Sequence, residues 1–275
     1  MSFNNLYSID EASLHDSRQT VFYCHKGLFA EVILNRSERL NALTADMWQR
    51  LHLIISSLSQ DTTLRCILIK SHSPKAFSAG CDIQEFETIR TGKTQGRTYG
   101  KLMHDTLNAL RHCPIPVVAS IQGVCIGAGL EIASTCDIRL CEENARFGAP
   151  IKNLGLVMAY PELSPLLEIV NKTILLDMLL TGRIYNAQEA WIHHLVTRVV
   201  PHEKLEQETT KTIEAIISGA PLAARWHKRF IHHLVAQNTF NETDLSMCFD
   251  CFDTEDYLEG CNAFKMHRKP IFQGK

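Results

Sequence analysis

The run Gln122-Gly123-Val124-Cys125-Ile126-Gly127-Ala128-Gly129-Leu130-Glu131 leads an apolar segment through three glycines to a carboxylate. Glycine lets a backbone take positive φ or approach another backbone closely, so the run reads as strand, tight turn and helix. A helix starting near Ala128 leaves its first amides without intrahelical partners. Glu131 then lies in the first turn of an otherwise apolar helix, where a carboxylate must be paired, capping or functional. The wider segment Ile115–Ser134 approaches the roughly 20 apolar residues of a bilayer span. Gln122, Glu131, Pro116 and the three glycines interrupt it, so a buried strand and helix are expected there and no membrane partner.

A second turn stands upstream, Lys75-Ala76-Phe77-Ser78-Ala79-Gly80-Cys81-Asp82-Ile83. It follows an apolar run and precedes a helical stretch, so amides near Cys81 either form a plain strand-to-helix turn or point at a ligand, aided by the helix dipole. Two such turns together supply two preorganised donors, the requirement of a thioester enolate or a tetrahedral oxyanion.

Around these turns the chain alternates. Thr20–His25 and Leu28–Asn35 read as strands joined at Lys26-Gly27. Thr44 offers an N-cap to a helix with Met47, Leu51, Ile54, Ile55 and Leu58 on one face. Cys66–Ile69 reads as a strand, Ser71–Gly80 as a loop, Tyr99–Arg111 as a helix and Val117–Ile121 as a buried strand. This pattern predicts an α/β layered fold with much of its sheet buried. After about Pro161 helix formers dominate: Leu166–Leu180, Ala187–Trp191, Glu203–Ser218, Pro221–Val235 and Thr254–His267, with breaks at Gly182, Gly219 and Asn238–Asn241. The expected division is a core over residues 1–200 and a helical region over 201–275. Trp226, Phe230, Phe249, Phe252 and Phe264 in that region predict packing against another subunit.

Composition narrows the function classes. The 275 residues are 45% hydrophobic and 21% charged, which excludes disordered, fibrous and collagen-like chains. Lys+Arg number 28 against 30 Asp+Glu, a formal net charge of -2, so no global field draws nucleic acid or an anionic membrane. The 10 cysteines fall well below the roughly 8–10% of a disulfide scaffold. The N-terminal stretch lacks a basic region followed by an apolar one, and a cytoplasmic protein with reduced thiols is expected. Cys248-x-x-Cys251 has no second Cys/His pair at zinc-finger distance, so no metal site is expected. The adjacent pairs His193-His194 and His232-His233 face different sides of a helix, as surface or packing residues do. No GxGxxG, GxxxxGK[ST] or GxSxG is present, which removes support for nicotinamide, nucleotide-hydrolysis and serine-hydrolase readings.

In this order and spacing the motifs resemble the crotonase superfamily, the enoyl-CoA hydratase/isomerase family. Asn35-Arg36-Ser37-Glu38-Arg39-Leu40-Asn41-Ala42-Leu43 resembles that family's first CoA loop, AFSAGCDI its second, and CIGAGLEIASTCDIR its signature. The close of the chain, Cys251–Phe264 and Arg268-Lys269-Pro270-Ile271-Phe272, resembles its C-terminal helix and tail. The resemblance implies a spiral of ββα units with a helical C-terminal region, assembled as trimers that often pair into hexamers. It implies an oxyanion hole from the backbone amides of Cys81 and Ala128, with Glu131 as a catalytic carboxylate. It places Ala79, Asp82, Ile83 and Gln84 around the CoA and acyl site, and Glu38, Arg39 and Leu40 near the nucleotide. Coenzyme A would enter as part of the substrate, with no resident cofactor.

One departure bears on the reaction. Aligning Phe147-Gly148-Ala149-Pro150 with the family's equivalent run puts Ile151 where its hydratases carry a second glutamate. Syn addition of water is easiest with two carboxylates around one water. Glu162 can fold back as a substitute acid or simply start the following helix, where a carboxylate favours the dipole; Tyr160 is a weaker candidate of the same kind. The expected activity is hydration or isomerisation of a 2-enoyl-CoA through a held enolate. The alternatives are another thioester reaction, such as decarboxylation or hydrolysis, and a non-catalytic acyl-CoA-binding or scaffold subunit.

Overall fold

The computed structural model of the protein describes Ile9, residues 11–237 and residues 239–275. Most of the N-terminal stretch read for a leader, and Asn238 of the expected break, lie outside these residues. Ten strands and eleven helices follow in chain order among them. The first half contains β1 (Val21–Lys26), β2 (Phe29–Leu34), α1 (Ala45–Leu58), β3 (Cys66–Ser71), β4 (Ala76–Ser78), α2 (Phe86–Ile89), α3 (Gly92–Arg111), β5 (Val117–Ile121), β6 (Val124–Ile126) and α4 (Ala128–Thr135). The second contains β7 (Ile138–Glu142), β8 (Arg146–Gly148), α5 (Tyr160–Ile169), α6 (Lys172–Thr181), β9 (Ile184–Asn186), α7 (Ala187–Ile192), β10 (Arg198–Val200), α8 (Leu205–Ile217), α9 (Pro221–Gln237), α10 (Glu242–Met247) and α11 (Glu255–Lys265).

Two sheets organise them. The larger has the order β1-β2-β3-β5-β7-β10, the smaller β4-β6-β8-β9. β1 and β2 form an antiparallel hairpin in the register Val21 to Leu34, turned at Gly27 with φ +70°. From β2 to β10 the large sheet is parallel. Each of the pairs β3β4, β5β6 and β7β8 gives its first strand to the large sheet and its second to the small one before the next helix. Repetition of that step makes the α/β spiral of strand-strand-helix units.

Burial follows the two-residue period of a strand. Ile67, Ile69, Val117, Ala119 and Cys141 face the main core with Trp48, Leu51 and Ile55 of α1. Cys66, Leu68, Val118 and Leu140 face the other way, against Leu205 and Ile213 of α8. Covered on both faces, these strands read as continuous apolar runs. Thr44 caps α1 by accepting the Met47 amide at 3.2 Å.

The structure differs from the sequence expectations at several elements. Residues 71–80, expected as a loop, contain β4, whose three residues are too short to show a period. The expected helix Leu166–Leu180 is two helices, α5 and α6, parted where Asn171 caps the Ile174 amide at 3.0 Å. β9 and β10 fall in the part expected to be helical. They are short, and pairing with β8 and β7 makes them strands. Helices and short 3-10 turns fill the chain after residue 200, with α8 packed back on the large sheet.

Candidate active site

The two glycine turns meet. Gly80 has φ +103°, and a Cβ there would stand 3.3 Å from Ile126 O and 3.8 Å from Ala128 N. A Cβ on Gly127, at φ +51°, would stand 3.8 Å from Gly80 Cα. The backbones therefore touch through glycines, which brings the amides of Cys81 and Ala128 to one place. Among the described residues neither amide donates a hydrogen bond to a carbonyl or side chain. Ala128 opens α4, so its amide is one of the orphan donors of a helix start.

The loop that resembles a CoA loop is stitched to the first turn. The Ala79 amide donates to Leu40 O at 3.0 Å, Leu43 to Gly80 O at 2.7 Å and Asp82 to Leu43 O at 2.8 Å. Asn41 locks the loop from inside. It is fully buried at φ +53°, a conformation asparagine tolerates better than most residues. Its Oδ1 accepts the Arg36 amide at 2.7 Å. Its Nδ2 reaches Ser71 Oγ at 2.7 Å and the Ala76 and Phe77 carbonyls at 3.1 Å. Asn41→Ala is expected to cost about 3 kcal/mol, because it orphans buried partners and leaves a positive φ on alanine; a shift in the denaturant midpoint measures it.

Between the turns lies a cavity of about 170 Å³. Ala79, Cys81, Ile83, Ala128, Glu131, Ile151 and Glu162 all line it, so those candidates are brought together. The rest of the wall is mostly apolar, with Phe86, Met103, Ile126, Leu156 and Met158. Glu38, Arg39, Leu40, Asp82 and Gln84 do not line the cavity; they stand on the loop and turn beside it. Asp82 is committed to Arg36 Nη2 at 2.7 Å and to the Gln84 amide at 3.0 Å. Burial raises its carboxyl, but Arg36 and that amide hold it below the usual range. Tyr160 is 88% exposed and outside the cavity wall, so its placement does not suit a proton donor.

The two carboxylates of the cavity sit in contrasting environments. Glu131 is buried, and its Oε2 has no hydrogen-bond partner. Burial, then the nearby charge of Glu162, pushes its carboxyl up to about 8, against an opposing pull from Arg90. Both causes favour its protonated form. Glu162 is also buried, yet both of its oxygens are engaged. Its Oε2 accepts the Ala159 amide at 2.8 Å, and its Oε1 meets His104 Nε2 at 2.8 Å. Glu162 thus closes the first turn of α5 and also lines the cavity. The Cys81 thiol is driven up to about 12 by burial and by Glu131, which leaves it a neutral wall group.

Sequence reading missed two residues of this constellation. His104 lies on α3, beside the buried stripe Tyr99, Met103, Thr106, Leu107 and Leu110. Its place next to that stripe was the available signal. Arg90 stands one turn after Phe86 and lines the cavity, with its guanidinium carbon 4.6 Å from the Phe86 ring centre and 5.0 Å from that of Tyr99. A larger groove, about 670 Å³, runs between the large sheet and α8. Of its wall charges, Glu31 and Lys70 are paired with each other at 2.9 Å, and of the two glycine runs only Gln122 reaches it.

Residues 25–275 match the family model described as enoyl-CoA hydratase/isomerase. The short-chain-enoyl-CoA hydratase of Clostridium acetobutylicum is 30% identical over 250 residues, covering 89% of this chain and 94% of the relative. A probable mitochondrial enoyl-CoA hydratase of Dictyostelium discoideum is 32% identical over 253 residues, covering 91% and 89%. The crystal structure of an enoyl-CoA hydratase/carnithine racemase from Magnetospirillum magneticum superposes with a TM-score of 0.92 at 40% identity, over 94% of this chain and 96% of that one. The Bacillus anthracis enoyl-CoA hydratase superposes with a TM-score of 0.84 at 28% identity, over 94% and 100%. Touching glycine turns, a carboxylate-bearing cavity and these matches place the chain in the enoyl-CoA hydratase/isomerase family, as an acyl-CoA-processing enzyme of the crotonase type.

Proposed function

We propose that the protein adds water across the double bond of a short 2-enoyl-CoA thioester. Two carboxylates in opposed environments within one cavity carry this reading: Glu131 held protonated by burial, and Glu162 with both oxygens accepting hydrogen bonds. A carboxyl that keeps its proton can serve as acid, and a hydrogen-bonded carboxylate in the same cavity as base. Glu162 takes a proton from water as the oxygen bonds to the β-carbon. The π electrons move onto the thioester oxygen, where the amides of Cys81 and Ala128 receive them. Glu131 then gives its proton to the α-carbon, and the proton on Glu162 returns to Glu131 through solvent. The sum is one water added. Glu162 in this reading does from α5 what Ile151 cannot do from the turn before it. No resident cofactor is needed, since coenzyme A arrives with the substrate. The short-chain-enoyl-CoA hydratase among the relatives favours a small acyl group.

Glu162→Gln is expected to lower kcat for crotonyl-CoA by about 10²-fold with KM little changed, within the usual range for one proton-transfer group. Unchanged kcat would remove Glu162 from the chemistry. A second reading is migration of a proton from C2 to C4 of a 3-enoyl thioester, with the ionised form of Glu131 taking the C2 proton and returning it at C4; it draws support from the engagement of both Glu162 oxygens. Under that reading, Glu162→Gln leaves turnover of the 3-enoyl substrate intact.

The assembly proposed is a homotrimer or a pair of trimers in the cytoplasm. Support comes from apolar surface in the C-terminal region: Phe249 and Phe252, between α10 and α11, and Phe264 on α11 are 63%, 51% and 82% exposed. Light scattering should give a mass that is a multiple of three chains; a monomer would reject this. No helix among the described residues is long and apolar enough to cross a membrane.

A further inference from the structure

Arg90 is the one cationic side chain in the cavity wall, and it has no ion pair or side-chain hydrogen bond among the described residues. Both carboxylates beside it leave it uncommitted. Glu162 is bonded to His104 and the Ala159 amide, and the buried Glu131 Oε2 has no partner, so the guanidinium closes on neither. Glu85, nearby in sequence, accepts the Ala45 amide at 2.8 Å instead. The rings of Phe86 and Tyr99 hold the guanidinium by its carbon, at 4.6 and 5.0 Å. Stacking of this kind fixes the position of an arginine while leaving its N–H fork open. The Phe86 ring lines the cavity as well, so the fork is held beside an apolar chamber.

From this unspent cation in a small apolar cavity we infer the substrate class: the acyl group carries a second carboxylate at its far end, which Arg90 receives. The inference rests on the reading of the cavity as an acyl pocket. The volume, about 170 Å³, lies under the roughly 300–1,000 Å³ of drug-sized pockets, so the acyl chain is short. A short chain whose thioester oxygen lies at the Cys81 and Ala128 amides puts its distal end against the remaining wall, where Arg90 is the only group that welcomes an anion. A carboxylate there forms a forked, charge-assisted pair with the half-buried guanidinium. A purely alkyl chain leaves the cation facing a methyl group, which loses water without gaining a partner.

Binding of saturated thioesters tests this without turnover. Glutaryl-CoA and pentanoyl-CoA have the same chain length and differ in the terminal carboxylate. Calorimetric titration of the full-length wild type should give at least about tenfold tighter binding of glutaryl-CoA, the scale of a net charge-assisted hydrogen bond. Arg90→Met, which keeps an apolar stem, should abolish or reverse the preference, and Arg90→Lys should keep part of it. Equal binding of the two thioesters by wild type, or an equal loss of both in Arg90→Met, overturns the assignment while leaving the acyl-CoA pocket standing. Failure of wild type to bind either thioester overturns both readings.

Discussion

Glu131→Gln is expected to cut hydration of a 2-enoyl-CoA by roughly 10²–10⁴-fold with binding of a saturated thioester preserved. The amide keeps the shape of the carboxyl but has no proton to give to the α-carbon. Because burial and the charge of Glu162 push this carboxyl up to about 8, kcat/KM for the wild type should fall as the pH is raised through that value. There the acid is lost in the free enzyme. The same shift makes Glu131 a cost to the fold. In the unfolded chain the group ionises near 4.5, while the folded state holds the proton to about 8. Its contribution is fully present below the unfolded value and is lost as pH rises, by about 1.4 kcal/mol per unit across that window. Glu131→Gln escapes this loss, so the inactive variant should melt above wild type at pH 8 by a margin that shrinks toward pH 5. An active-site group that destabilises its own fold is the expected trade of stability for function. A wild-type rate that does not decline above pH 8, or a variant that melts lower there, would remove the protonated Glu131 from the account.

The largest effect on folding is expected at Gly123→Ala. Gly123 has φ +60°, and an added Cβ would lie 2.0 Å from Lys75 O, a backbone atom that cannot swing away. Strain and overlap together should cost roughly 3–5 kcal/mol or prevent folding. The β4 and β6 strands would have to part, since Gly123 bridges Ala76 and the Val124 amide donates to Lys75 O at 3.2 Å. Gly27→Ala is the control: its φ is +70°, but nothing lies within 4 Å of the new Cβ. It should lose only about 1 kcal/mol, the price of the left-handed backbone alone. Denaturant midpoints compare the two, and equal losses would show that the close approach at Lys75 carries no weight.

The turns were legible in the sequence because glycine chemistry is local. Gly80, Gly127 and the apolar helix after Ala128 announce a strand, a turn and a helix start with no knowledge of what lies opposite. The apolar runs of β3 and β5 were legible for the same reason. Strands of three residues such as β4 and β9 carry no period, and only their pairing partners define them. The site was half legible. Glu131 stood out as a charge in an apolar helix, and Glu162 as a carboxylate with two readings. The side-chain partner of Glu162 is His104, 58 residues away on α3, and nothing local in either stretch announces that contact. Arg90 was hidden because an arginine after a short polar helix reads as a solvated side chain, until Phe86 and Tyr99 are seen to hold it at the cavity.

The most direct test of the paired carboxylates is the product formed from crotonyl-CoA by wild-type protein, identified by mass as the enoyl-thioester absorbance falls. The account predicts a thioester heavier by one water, formed by wild type and lost in both Glu131→Gln and Glu162→Gln. Crotonyl-CoA consumed without gain of water, or hydrated as fast by either variant as by wild type, would contradict it.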